Sequence, residues 1–286
     1  MSIVPGDSTS HTLTSGPVAL VQIRVGGPVL RLCPLWATLA GLLAAQPDLS
    51  STATWLRAGG ALVLAELLWG MTWQSGRHGR RDSRVEDPPP VSLPFWQPSS
   101  PAGALRLWLN EVTGRSMSEL AIGFFVSLFL SALLGPGIIG LSLVAWLVAF
   151  TCWLLIGRDQ HPTLGWAVLS AGLPWVLGGV IVKGLVPPTL WIAVALTGLQ
   201  WAVQRLGSSR VIDIREVCWG SALFFAVLVA LRQPLAVLAA SLFLTPPLLW
   251  VATAERGKVP VSTAIDGCAA WLWAAMLSTA ALTTGL

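Results

Sequence analysis

The chain has 286 residues, 54% hydrophobic and 10% charged, with a mean hydropathy of +0.72, 16 Trp, 8 Phe and no Tyr. A soluble domain carries about 25% charged residues, so 17 basic and 13 acidic side chains cannot cover a water-facing surface of this size. The composition excludes a disulfide-rich secreted fold, a disordered chain and a nucleic-acid binder of the usual kind, and leaves the lipid bilayer as the main solvent.

Residues 1–27 read as a polar tail. Within it, 1–22 have no basic start followed by an apolar run, so no signal peptide is read. A bilayer core takes about 20 apolar residues per helix, and nine stretches fit: 28–45, 57–73, 117–134, 137–156, 164–182, 188–206, 216–231, 234–253 and 263–284. Breaks fall at Gln46-Pro47-Asp48, Gly135-Pro136, Gly157 to Pro162, Pro187-Pro188, Gln233-Pro234 and Gly257 to Pro260. Tight connections make successive helices antiparallel neighbours. The expected fold is therefore all-α, a polytopic bundle of nine transmembrane helices over 28–286. Cys33, Cys152, Cys218 and Cys268 lie far apart in apolar stretches and read as small core hydrophobes.

Orientation follows from the basic residues. With the N-terminus inside, only Arg57, Lys183 and Arg232 fall on the outer side; the other 14 of the 17, Arg24 through Lys258, fall on the cytoplasmic side. This puts the C-terminus on the opposite side. Trp55, Trp73, Trp96, Trp108, Trp201 and Trp219 come near predicted helix ends, where an indole meets headgroups, whereas Trp146, Trp191 and Trp271 are read as deeper. Belt and packing roles explain most of them; a cavity for a flat or greasy ligand is the alternative.

The segment 74–116 is the one long cytoplasmic loop. It opens with Arg77-His78-Gly79-Arg80-Arg81-Asp82, continues to Glu86-Asp87 and stiffens at Pro88-Pro89-Pro90. Its second part, Ala104 to Val112, spaces Leu105, Trp108, Leu109 and Val112 on one helical face opposite Arg106 and Asn110, which predicts a short interfacial helix. The basic run serves either as an anchor to anionic headgroups or as a mouth attracting an anionic ligand. Glu66 is the one carboxylate clearly inside a predicted span. It is costly there unless hydrogen-bonded or facing a wet cavity, so a bond to a neighbouring helix and a contact to a bound headgroup or macrocycle both stand. Glu119 and Asp266 are expected to cap helix starts. His11, His78 and His161 all fall in polar segments and read as solvated, with His78 and His161 able to meet a pigment at the interface. Gly59-Gly60, Gly135 to Gly140 and Gly178-Gly179 permit close helix contact.

Nine helices, an inside N-terminus and a long loop after the second span resemble the UbiA superfamily of intramembrane prenyltransferases. Pro34-Leu35-Trp36-Ala37-Thr38-Leu39-Ala40-Gly41 is similar to the P-x-W-A-x-x-x-G of its chlorophyll and bacteriochlorophyll synthase branch. Gly172-Leu173-Pro174-Trp175 is similar to that branch's G-L-P-W, and Arg77-His78 falls where its first Asp-rich motif has an R-H pair. The resemblance runs from about Leu30 to Leu282. It implies a helical bundle with a lateral cavity, and two carboxylate clusters holding Mg²⁺ against a prenyl diphosphate, since the leaving diphosphate must be neutralised while an allylic cation develops.

This chain departs from that pattern at the metal positions. Aligned on Arg77-His78, Thr72 stands at the family's Asn, and Trp73, Gly76 and Arg80 stand at its three Asp. Aligned on Ile214-Arg215, Trp201 stands at the Asn of the second motif, and Ala202 and Ser209 at its Asp positions. An Arg in place of a carboxylate repels metal while attracting diphosphate. The resemblance then implies a catalytically degenerate protein. Its cavity mouth and degenerate motif positions, Thr72, Trp73, Gly76, Arg77, His78, Arg80, Trp175, Trp201, Arg205, Ser209 and Arg210, would bind an isoprenoid or chlorin in place of turning it over, next to a photosynthetic reaction-centre or antenna subunit. The competing expectation is an active prenyltransferase using Mg²⁺ on displaced residues, Asp82, Glu86, Asp87, Asp213 and Glu216. A purely structural membrane subunit is the third.

Overall fold

The computed structural model describes residues 33–48, 50–70, 72, 101–113, 117–156, 162–208, 214–255 and 261–283, and every regular element among them is helical. In chain order α1 is Cys33–Ala44; α2 is Thr52–Val63, running on through a π-helical turn Leu64–Trp69; α3 is Pro101–Thr113; α4 is Met117–Leu134; and α5 is Pro136–Ile156. Then α6, Thr163–Ala167, passes through a second π turn, Val168–Gly172, into α7, Leu173–Lys183; α8 is Pro187–Ser208, α9 Ile214–Ala230, α10 Pro234–Glu255 and α11 Val261–Leu282. Helices thus occupy all nine apolar stretches, and α3 falls where the interfacial helix is expected.

Among the described residues three helices, Pro136–Ile156, Thr163–Lys183 and Pro234–Thr253, are long and apolar enough to cross a membrane. A fourth crossing arises if Gly103–Thr113 and Ser118–Leu134, bent by 81°, form one broken span. Pro34–Ala44, Val217–Ala230 and Trp271–Leu282 are apolar but shorter. The stretch read as 57–73 begins five residues earlier, at Thr52, after Ser51, because the break at Pro47-Asp48 is compact: Gln46 takes a left-handed φ of 52°. There the Asp48 carboxylate accepts both the N–H and the hydroxyl of Ser50, which holds it below the usual carboxylate range. The stabilisation of this turn is present above the ordinary Asp pKa and is lost as pH falls through the lowered one.

The helices are apolar inside and outside. On α4, Ile122, Phe125, Val126, Phe129 and Leu133 are exposed, Phe129 by 68%, and α10 exposes Leu235, Leu238, Leu242 and Leu249. A soluble bundle places charge on such faces; this arrangement is consistent with a membrane protein. Several hydroxyls are satisfied locally: Thr38, Thr197, Ser241 and Thr245 each donate to the carbonyl four residues back. Helix α10 continues through Pro246 and Pro247, as helices buried among protein and lipid tolerate.

Two cores share the bundle. One joins the π turn of α2 to α3, α4, α5, α6 and α7 around Leu64, Trp69, Trp146, Trp153 and Leu177. The other joins α1, α7, α8, α9, α10 and α11 around Trp175, Leu196, Phe224 and Leu244. They meet along α1 and α7, which cross backbone to backbone. A Cβ on Gly41 would meet the carbonyl oxygen of Trp175, and one on Gly178 would meet the carbonyl of Thr38 and lie 2.6 Å from the Leu42 nitrogen.

Local chemistry explains the second π turn. Pro174 has no N–H to return to Ser170, so a regular α-turn there loses its bond, and the chain passes through Val168–Gly172 in a wider turn before Pro174 starts the first turn of α7. The helix then ends at Gly184, whose φ of 78° suits glycine and whose N–H returns to the Val180 carbonyl.

Several side chains sit elsewhere than the sequence suggests. Cys152 is buried as expected, but Cys218 is exposed beside Trp219, itself 74% exposed, on the outward face of α9. Trp191 is exposed in the second turn of α8, which starts at Pro187. Asp266 is the sixth residue of α11, past the first turn, because that helix starts at Val261, whereas Glu119 does lie in the first turn of α4. On α3, Leu109 and Val112 are buried and Trp108 stands edge-on to Phe150, while Leu105 is exposed.

Candidate functional site

The structure brings the two stretches that resemble the prenyltransferase motifs to one place. Pro34 to Gly41 forms α1, Gly172 to Trp175 joins the π turn to α7, and the α1–α7 crossing sets Gly41 against the Trp175 carbonyl. Trp175 is fully buried there, and its indole N–H has no partner among the described residues. It therefore packs between helices and does not face an open cavity. Trp36, on the same helix as Gly41, stacks on Trp273 of α11 with ring centroids 5.1 Å apart at 25°.

Glu66 lies in the first π turn and reaches α1. Its Oε2 accepts the N–H of Leu35 at 3.1 Å. Leu35 is in the first turn of α1, where backbone N–H groups lack partners within the helix, and a carboxylate complements the positive end of the helix dipole. Of the two readings of this residue, the bond to a neighbouring helix is the one observed. Glu66→Gln, which keeps a carbonyl acceptor, is expected to stay within about 1 kcal/mol of wild type, whereas Glu66→Leu is expected to lose about 1–2 kcal/mol by orphaning the Leu35 N–H. Thermal unfolding of the two variants in detergent checks this, and equal losses would overturn it.

The same π turn starts a polar seam through the first core. Trp69 donates its indole N–H to Ser142 Oγ at 3.2 Å, Ser142 and Ser131 hydroxyls meet at 2.6 Å, and Ser131 donates to the Ser127 carbonyl at 2.6 Å. Trp146 donates to Ser127 Oγ at 2.8 Å, and Ser127 donates to the Phe124 carbonyl. Because Ser131 spends its proton on a carbonyl, Ser142 must donate to Ser131, which leaves Ser142 free to accept from Trp69. Neither the serine spacing nor the Trp positions marks this seam in the sequence, since each partner is a residue of another helix or another turn.

At the degenerate motif positions, Thr72 is buried and donates to the Trp69 carbonyl at 2.6 Å, and Ala202 is buried. Trp201 is half-buried, with the Arg205 guanidinium 5.4 Å from its ring centroid. A hydroxyl already engaged, an indole under a cation and a methyl group offer no hard anionic oxygen, so these described positions do not fit Mg²⁺. Among the described residues no three His, Cys, Asp or Glu come together as a metal site. Trp73, Gly76, Arg77, His78, Arg80, Ser209 and Arg210 lie outside the described residues, as do His11, His161, Asp82, Glu86, Asp87 and Asp213; of Glu216 only the backbone is described.

A partly open cleft of about 10 Å³ lies between α8 and α11, lined by Ala171, Leu196, Leu199, Gln200, Leu272, Trp273 and Met276. That is room for about one water-sized group, far less than a chlorin ring. Compared with family models, curated proteins and solved structures, the chain matches none.

Proposed function

We propose that this chain is a catalytically degenerate membrane protein of the UbiA type, which binds an isoprenoid or chlorin pigment and serves as a binding or assembly subunit of a photosynthetic complex. In this reading all nine apolar stretches cross the bilayer, the shorter ones with their flanking residues. The N-terminus is cytoplasmic, the C-terminus lies opposite, and α3 rests on the cytoplasmic surface. The membrane is the cytoplasmic or photosynthetic one.

One observation carries the proposal. The two stretches most similar to the synthase branch meet at a single backbone crossing, Gly41 on Trp175 and Gly178 on Thr38, while the positions aligned with the second motif hold Trp201 and Ala202 in place of metal ligands. Retention of a packing pair together with loss of the carboxylates favours binding over turnover. The cation of Arg205 over Trp201 supports an anionic or headgroup-bearing partner at that end of α8.

The test is isolation of the full chain in mild detergent from a cell that makes bacteriochlorophyll. Chlorin absorption bands co-eluting with the protein, together with photosynthetic subunits, are expected. A colourless protein without partners overturns the reading. In a second measurement, prenyl diphosphate, Mg²⁺ and a chlorophyllide acceptor are expected to give no product. Turnover that disappears in Asp82→Ala or Asp213→Ala would establish the enzyme instead.

A further inference from the structure

We draw no further inference here: the strongest candidate, the buried Gln200 amide in the cleft between α8 and α11, carries nothing, because the cleft has room for about one water-sized group among otherwise hydrophobic residues and nothing in the structure shows what occupies it.

Discussion

Gly178→Ala is expected to destabilise the protein by about 3 kcal/mol, at the upper end for an overpacked core, and Gly41→Ala by a similar amount. The obstacle in both is backbone. The new methyl at 178 would press on the Thr38 carbonyl and come within 2.6 Å of the Leu42 nitrogen, and that at 41 would meet the Trp175 carbonyl. No rotamer change relieves such a contact, so α1 and α7 must move apart, and the two cores meet along these helices. Since both substitutions widen one crossing, the double variant is expected to cost less than the sum of the singles. Gly59→Ala is the control: nothing lies within 4 Å of a Cβ there, and the helix gains about 0.5–1 kcal/mol from the reduced backbone freedom. Unfolding in detergent micelles measures all four, and a Gly178→Ala protein within about 0.5 kcal/mol of wild type would overturn the crossing.

The second large effect is expected at Ser142, the middle of the polar seam. Ser142→Ala removes the acceptor of the Trp69 indole and the donor to Ser131. Trp69 is fully buried, so its N–H is left without a partner, and the expected loss is about 2–3 kcal/mol. Ser142→Cys, which keeps a weak acceptor of similar size, is expected to lose less. In a Trp69→Phe background the indole N–H is already gone, and Ser142→Ala is then expected to cost about 1 kcal/mol or less. A full-sized loss in that background would show that the serine acts by packing and not through the indole.

Much of the architecture was legible residue by residue. The apolar stretches, their breaks and helix α3 follow from local hydropathy and turn chemistry, and the stretch read as 117–134 is α4, Met117–Leu134. Pro34 to Gly41 and Gly172 to Trp175 stand out in the sequence as two motifs of one resemblance. Their contact through Gly41 and Gly178 does not follow from spacing. Gly59-Gly60 and Gly178-Gly179 look equivalent as small-residue pairs, yet Gly59 faces open space and Gly178 a neighbouring backbone. Glu66 was visible as an anomaly; its partner, a backbone N–H 31 residues earlier, was not.

Gln200 carried no signal beside Trp201, because an amide in a helix is unremarkable until its surroundings are known. The seam from Trp69 to Ser127 was hidden for the same reason.

What the sequence determined by itself is the helices and a composition consistent with a membrane protein: 10% charge cannot cover a water-facing protein, and a backbone in lipid must satisfy its hydrogen bonds within each segment. What only the tertiary structure decided is which face of each helix turns inward. In water that choice is written as an apolar stripe against a polar one. Here Phe129 outside and Leu130 inside α4 are equally apolar, so inward faces are selected by close backbone approach at Gly41 and Gly178, by the serine seam and by the Glu66 cap. Each of these needs a partner distant in the chain, and no local pattern names it.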